Sequence, residues 1–444
     1  MIVVLGGGPA GRFASLRLAT AGKEVTLVEY GGIGGQCLHF GCMPVCALND
    51  AARLVRSSRT FHRTGIFNSV PEIDFSRLQA EMLAIQKKIT AILDEETRSA
   101  GVEIVYGKAG RVNGEEVFIG DEPVDAESAI IATGSRPNIP AIDGIRLPGV
   151  YTPHTLPGMQ ELPEQLAIIG GNVMAAEYAY IFSSFGCDVT VLSRSTFLKS
   201  LDRHLRAIAI RELADIRIHE GAQATAIMGS SRVTSVQFAQ GKGMDSCNAD
   251  AVLVAAGLVP RSEMVSGIRK GPAGEVLVND RMQTSVPSIY AAGDVTGPPY
   301  LTPVARYGGI VAADNILGRE RRMDYRYIPQ SLNLAHELAF CGNGGEGAAS
   351  VAIPGPAGPG TFWSVPDGDT GLAKIMADPG SGEITGICAA GPGGGIIAGY
   401  LAFLMYRHAT VHDFEDFIEV HPSTDGVYGL AKYLSEELKK QNSP

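Results

Sequence analysis

The run Ile2-Val3-Val4-Leu5-Gly6-Gly7-Gly8-Pro9-Ala10-Gly11 decides how this chain is read. Four apolar residues followed directly by glycines have the pattern of a buried strand that ends in a sharp turn. A helical stretch follows at residues 13–21, then a second strand at 24–28, closed by Glu29. Gly6, Gly8 and Gly11, with Pro9 and Ala10 between them, allow the backbone to approach a diphosphate closely. The helix N-terminus behind them supplies N–H donors and the positive end of a dipole. Glu29 has the place and the charge to accept hydrogen bonds from ribose hydroxyls. A glycine turn in an unrelated α/β domain is the plain alternative; the joint spacing of glycines, helix, second strand and terminal acid argues for a dinucleotide-binding unit.

The same order recurs. Residues 166–169 form a strand, Gly170-Gly171-Asn172-Val173-Met174-Ala175 the turn, a helix runs to residue 185, and a strand covers 189–192. Glu29 lies 23 residues beyond Gly6, and Ser193 lies 23 residues beyond Gly170. Two such units in one register imply two dinucleotide folds. In the second, Gly170, Asn172 and Ala175 are the candidate contacts. Asn172 replaces the middle glycine; Asn tolerates the left-handed conformation, and its side chain is expected to crowd a pyrophosphate. Ser193 and Arg194, with Lys199 five residues on, stand where the first unit has an acid. A hydroxyl and cations fit a 2′-phosphate, so the repeat points to NADPH over NADH. A solvated basic turn is the alternative.

At 444 residues, 45% apolar and 19% charged, the chain is long enough for two or three core-forming domains. A net charge of −10 argues against a nucleic-acid binder. No apolar run approaches the ~18 residues of a membrane span. Seven cysteines without a secretory signal suggest a reducing, cytoplasmic setting. The expected architecture is α/β: residues 1–149 and 263–322 as one dinucleotide-binding (Rossmann-like) domain, 150–262 as the second, and 323–444 as an α+β domain. In that last part, strands are expected at 371–377 and 384–389 and helices at 396–408 and 427–440. Leu78, Met82, Ile85, Ile89 and Ile92 mark an apolar stripe, expected to be core, on a helix over 76–99.

Cys37-Leu38-His39-Phe40-Gly41-Cys42 follows the first unit. Five residues apart in a regular helix, the two Cα atoms would be roughly 8.6 Å apart, beyond the ~7 Å limit for a disulfide. A redox-active pair therefore requires a loop or a distorted first turn, which Gly41 and Pro44 permit. A metal clip with His39 and Cys46, or inert buried thiols, are the alternatives.

With these residues in hand, the chain resembles the pyridine nucleotide–disulfide oxidoreductases, the family of dihydrolipoamide dehydrogenase and glutathione reductase, over nearly its whole length. The resemblance rests on GGGPAG at 6–11, GGQCLHFGCMP at 34–44, ATGSRP at 132–137, the second nucleotide motif, TSVPSIYAAGD at 284–294, LTPVA at 301–305 and His421-Pro422. It implies an FAD-dependent enzyme working with NADPH or NADH on a small-molecule or lipoyl-domain disulfide, as a homodimer built through the C-terminal domain. By position, Gly35, Ala109, Thr133, Gly134, Asp294 and Thr302 would join the FAD site, and Glu177 and Gly257 the cofactor-facing shell. Cys42 would be the thiol nearest the flavin, Cys37 the interchange thiol, and His421 the acid–base group reaching the other subunit's disulfide.

Four departures from the family pattern stand out. Val45-Cys46 replaces a Ser-Lys pair whose lysine pairs with the glutamate matching Glu177; that leaves Glu177 a buried carboxylate without its cation, and Cys46 is expected to be a small buried residue, an extra redox or metal group being the other reading. Gly426 stands where the histidine's usual glutamate partner would be, with Asp425 adjacent. Asn172 is the third departure, and the missing acid in residues 391–395 the fourth. No cysteine follows Cys388, so a C-terminal thiol pair is not expected. Two other functions stay open: a disulfide reductase fed by a protein donor, with a decayed nicotinamide site, and a metal- or redox-sensing flavoprotein.

Overall fold

The computed structural model describes residues 1–355, 358, 360, 362, 370–421 and 426–441. Ile2–Leu5 pairs in parallel with Val25–Glu29, Ile2 opposite Val25. Gln165–Ile169 pairs in parallel with Asp188–Ser193, Gln165 opposite Asp188. The offset is 23 residues in both, so the repeat read along the chain is a repeat of strand register. The first sheet has the order Ile289–Ala291, Ser128–Ile131, Ile2–Leu5, Val25–Glu29, Val102–Tyr106, all parallel. The second runs Arg217–Glu220, Asp188–Ser193, Gln165–Ile169, Ala251–Val254, Val150–Tyr151, also parallel. In each, the strand leading into the glycine turn is central, which places that turn at the carboxyl edge where such sheets bind ligands.

Along the chain, helix α1 (Pro9–Thr20) follows the first turn with Pro9 in its opening turn, where the missing N–H is not needed. Next come α2 (Gly35–His39), α3 (Cys42–Arg63) and α4 (Phe75–Ser99). Asp74 caps α4 by accepting from Arg77 N at 3.0 Å. The buried row of α4 is Phe75, Gln79, Met82, Gln86 and Thr97; of the expected apolar stripe Met82 is buried and Leu78 packs against the core, but Ile85 and Ile92 are 55% and 47% exposed. Polar groups on the inner row find partners there. Gln86 Nε2 donates to Leu38 O at 2.9 Å, and Thr97 Oγ1 accepts from Arg12 Nε at 3.0 Å.

In the second unit α5 (Val173–Ser184) is buried on nearly all sides, since it lies between its own sheet and α3; α6 (Arg203–Glu212) follows. The chain then returns to the first sheet, and α7 (Thr302–Ile316) packs along α1. Gly309 permits that approach: a Cβ there would lie 2.1 Å from Ala10 O. Residues 330–391 build an antiparallel sheet in the order Gln330–Asn333, Glu337–Gly342, Ile384–Gly391, Leu372–Ala377, Ala349–Ile353. It is covered by α8 (Gly394–Tyr406) and α9 (Gly426–Gln441). On α8, Ile397, Ala398, Leu401 and Met405 face the core, while Ile396, Tyr400, Phe403 and Tyr406 are exposed. Among the described residues, no helix is long and apolar enough to cross a membrane.

Candidate active site

The two thiols meet across a break in the helix. α2 ends at His39, Phe40 and Gly41 leave helical geometry, and α3 opens at Cys42. The interruption anticipated from the five-residue spacing is what lets the side chains converge. Cys37 and Cys42 share a hydrogen bond, and Thr302, first residue of α7, supports both; its hydroxyl lies 3.6 Å from Cys42 Sγ. The pair therefore gives up one proton easily and the second reluctantly. Cys37 is pulled down to about 6 by the Cys42 hydrogen bond first, then by Thr302 and the charge of Arg306, against burial. Cys42 is raised, by the Cys37 hydrogen bond, burial and the Cys37 charge.

The glycine turn is as tight as its spacing implied. Gly6 has φ +107°, and a Cβ there would lie 2.3 Å from Ala132 O; a Cβ on Gly11 would lie 1.9 Å from Gly6 O. Gly35 (φ +61°) backs onto Gly8, where a Cβ would meet the Gly8 Cα at 2.6 Å. No side chain caps α1, whose N-cap is Gly8, so its first N–H groups remain for an anion. Glu29 accepts from Gly7 N at 2.6 Å and Gly31 N at 2.8 Å, which fixes its carboxylate at the strand end. Ala109 precedes a small antiparallel sheet, its carbonyl bonded by Gly120 N at 2.8 Å. Thr133 Oγ1 donates to Arg261 O at 2.6 Å, and Arg261 N to Gly134 O at 2.8 Å, tying together the two crossings between units. Gly257 (φ +96°) accepts from Asn138 N at 2.9 Å in the same junction. Asp294 opens a short 3-10 turn and accepts from Ser135 Oγ at 2.6 Å; burial raises it, and Ser135 opposes the rise.

Residues not anticipated from sequence complete this wall. His154 Nε2 lies 3.1 Å from Gln36 Oε1, which also meets Ser135 Oγ at 3.4 Å, and the His154 ring stacks on Phe40 with centroids 4.5 Å apart. Burial, with the Arg261 charge, lowers His154, so it is neutral near pH 7. No motif links His154 to Gln36, which is 118 residues away.

In the second turn, Gly170 is also obligatory: its Cβ would meet Ala255 O at 2.3 Å. Asn172 is extended (φ −100°), not left-handed, and its carboxamide folds back onto its own helix, accepting from Ala175 N at 3.0 Å. The asparagine thus acts as an N-cap, and it occupies one N–H of the helix end. Ser193 is buried and donates to Ser195 O at 2.8 Å, while Arg194 and Lys199 are exposed. A Cβ on Gly171 would strike Ser193 Oγ, so this turn presses against the strand end.

Glu177, on α5, is 9% exposed and held by Asn333: the backbone N donates to Oε1 at 2.9 Å and Nδ2 at 3.2 Å. Burial lifts it to about 7 against the Asn333 bonds and the Arg53 charge. Amide donors from the C-terminal sheet therefore stand in for the absent lysine. Cys46, expected to be buried, is exposed, because α3 turns its Val45 inward instead. Its sulfur is still partly shielded by the protein, and that desolvation, then the charges of Glu177 and Cys42, raise its pKa. Among the described residues, no group of three or more His, Cys, Asp or Glu side chains is placed to hold a metal ion. His421 is exposed ahead of α9, and the hydrogen bonds on the two thiols come from one another and Thr302, not from it. Pro422 and Asp425 lie outside the described residues.

The sequence profile of the pyridine nucleotide-disulphide oxidoreductases matches residues 1–309, and that family's dimerisation-domain profile matches residues 357–431. The chain belongs to that family. A pyridine nucleotide-disulphide oxidoreductase named dihydrolipoyl dehydrogenase from Geobacillus stearothermophilus is 30% identical, over 95% of this chain and 93% of its own. Dihydrolipoyl dehydrogenase from Bacillus subtilis is 28% identical, over 98% and 97%. Mercuric reductase from Staphylococcus aureus is 29% identical over 74% of this chain and 62% of its own. In fold, the oxidoreductase matches the crystal structure of LpdA from Mycobacterium tuberculosis with a TM-score of 0.86, at 23% identity, over 98% of this chain and 99% of that one. Membership makes this protein an FAD-dependent enzyme that works with NAD(P)H.

Proposed function

We propose that this oxidoreductase passes electron pairs between NAD(P)H and a small or lipoyl-type disulfide through a Cys37–Cys42 disulfide. The observation that carries the reading is the convergence of Cys37, Cys42 and Thr302 at the break between α2 and α3. Residues 1–149 with 263–322 hold FAD, residues 150–262 the nicotinamide, and residues 323–444 the dimer contact. The FAD site fits a cradle in which any Cβ at Gly6 or Gly11 would collide with backbone. Gly6, Gly8, Pro9, Ala10, Gly11 and Gly35 surround the diphosphate, Glu29 takes the ribose, Ala109 the adenine, and Thr133, Gly134 and Asp294 the far side. Bound there, FAD supplies hydride acceptance and two-electron delivery to sulfur.

The chain's own residues carry the exchange. The Cys37 thiolate attacks one sulfur of the substrate disulfide; that S–S bond breaks, and the first half leaves as a thiolate that takes a proton. Cys42 then attacks the Cys37 sulfur, releases the second half, and closes the Cys37–Cys42 bond. Protonated His421 of a second copy gives the first half its proton, then takes the proton of the Cys42 thiol as that sulfur attacks and passes it to the second half. Peptide mapping of alkylated thiols, before and after anaerobic reduction by NADPH, tests this: two new reactive thiols are expected, at Cys37 and Cys42. Unchanged labelling, or full disulfide turnover by both Cys37→Ser and Cys42→Ser, rejects the reading.

The preferred nicotinamide is NADPH, bound by Gly170, Asn172, Ala175, Ser193 and Arg194, with Glu177 and Gly257 facing the cofactors. Arg194→Ala is expected to raise the NADPH Michaelis constant severalfold, in line with one lost charge-assisted contact of about 1 kcal/mol or more, and to leave that for NADH nearly unchanged. Equal losses for both point to a solvated basic turn instead. The second reading, a protein electron donor, draws on Asn172 using the Ala175 N–H. Absent steady-state NADPH oxidation with full activity from a reduced flavoprotein would favour it.

A further inference from the structure

Arg306 stands four residues beyond Thr302 on α7, so both side chains lie on one face of the helix. Thr302 is the residue whose hydroxyl supports both thiols, and Arg306 follows one turn later on the same face of α7. Its charge is felt at Cys37. Its guanidinium lies over the Phe13 ring of α1, 5.4 Å from the centroid, which holds the side chain in place without neutralising it. Arg306 is exposed. Among the described residues it pairs with no carboxylate, whereas the arginines of the neighbouring turns of α1 do: Arg12 pairs with Glu96, and Arg17 with Asp314. A cation left uncompensated beside an attacking sulfur raises the local concentration of anions there.

We propose that Arg306 is a specificity-determining residue that selects disulfides bearing a carboxylate or phosphate a few bonds from the sulfur. The planar guanidinium, steadied on the Phe13 ring, takes such a group through two parallel hydrogen bonds. A site for a neutral aliphatic disulfide would gain nothing from a charge here and would lose by desolvating it. The inference rests on the reading of Cys37 as the interchange thiol, and the test separates the two.

The test uses reagent pairs that differ only in charge. In the FAD-loaded enzyme reduced with one equivalent of dithionite, alkylation of Cys37 by iodoacetate is compared with alkylation by iodoacetamide, read at the residue by fragmentation of the labelled peptide. The ratio of the two rates is expected to fall severalfold in Arg306→Gln, for a solvent-screened charge acting on the sulfur, and to recover in Arg306→Lys. Turnover is compared between 3,3′-dithiodipropionate and its diamide; the wild type is expected to prefer the diacid in kcat/KM by a similar factor, and Arg306→Gln to lose that preference. Flavin content and its visible spectrum certify that each variant is folded. An alkylation ratio that Arg306→Gln leaves unchanged, or a wild type that prefers the diamide, overturns the inference. A wild type that turns over neither disulfide, with the alkylation ratio behaving as expected, counts against the disulfide-exchange reading and keeps the cation at Cys37.

Discussion

Carried by α5 and held by Asn333, the Glu177 carboxyl keeps its proton to about 7, because burial penalises the charged form more than the Asn333 donors and the Arg53 charge favour it. The groups around it are Cys42, Cys46 and Arg53 from α3 and the Asn333 amide from the C-terminal sheet. Below the ordinary carboxyl range both folded and unfolded chains carry this proton. From there up to about 7 the folded protein holds a proton that the unfolded chain has released, so stability falls as pH rises through that window. Glu177→Gln removes the titrating group while its amide oxygen still accepts from Asn333. Thermal melts of the FAD-loaded protein should show the variant matching wild type at about pH 5 and exceeding it by on the order of 1–3 kcal/mol at about pH 8.5. Cys46→Lys, which places an ammonium beside the carboxyl, should flatten the same window by ionising Glu177. A wild-type melting profile in both variants would show that Glu177 is charged in the folded protein.

Among the secondary-structure elements, the contact of α1 with α7 matters most to the site, because α1 carries the glycine turn and α7 carries Thr302 and Arg306. The axes come close at Gly309, where a Cβ would stand 2.1 Å from Ala10 O. Backbone on one side and a helix on the other leave no flexible side chain to yield. Gly309→Ala should therefore cost about 1–3 kcal/mol by overpacking and displace Thr302 from the thiols. A lowered temperature of flavin release, together with weaker perturbation of Cys37 ionisation, would register both effects; an unchanged melt would show that α7 slides without consequence. The α4 helix gives the complementary lesson. Its most apolar row is not the row it buries, since Gln86 and Thr97 satisfy their polar groups inside and Ile85 and Ile92 are left outside.

On the scale of the molecule, the exposed row Ile396, Tyr400, Phe403 and Tyr406 on α8 belongs to the part that matches a dimerisation domain. An apolar row of that kind is ordinarily covered by a partner. If the acid–base histidine acts across such a contact, His421→Ala and Cys37→Ser homodimers are both nearly inactive, yet heterodimers formed by mixing and re-association regain activity, because one of their two sites combines an intact Cys37 with an intact His421. Disulfide reductase assays on the mixed dimers, with each homodimer as control, measure this. No recovery would place His421 in its own subunit's site or outside the chemistry.

The linear sequence determined the two dinucleotide units and their common register, since buried parallel strands, glycine turns and terminal residues are local signals at fixed spacing, and Ile2 opposite Val25 repeats as Gln165 opposite Asp188. It also marked Cys37 and Cys42 and required a break between them, because helical geometry alone keeps residues five apart from bonding. Tertiary structure decided the rest. That Cys46 is exposed yet lies beside Glu177, that Asn333 holds Glu177, and that His154 joins Gln36 and Asp294 joins Ser135 depend on groups far apart along the chain. Hydrogen-bond satisfaction and burial are properties of the packed interior, and they acquire values only when distant segments meet.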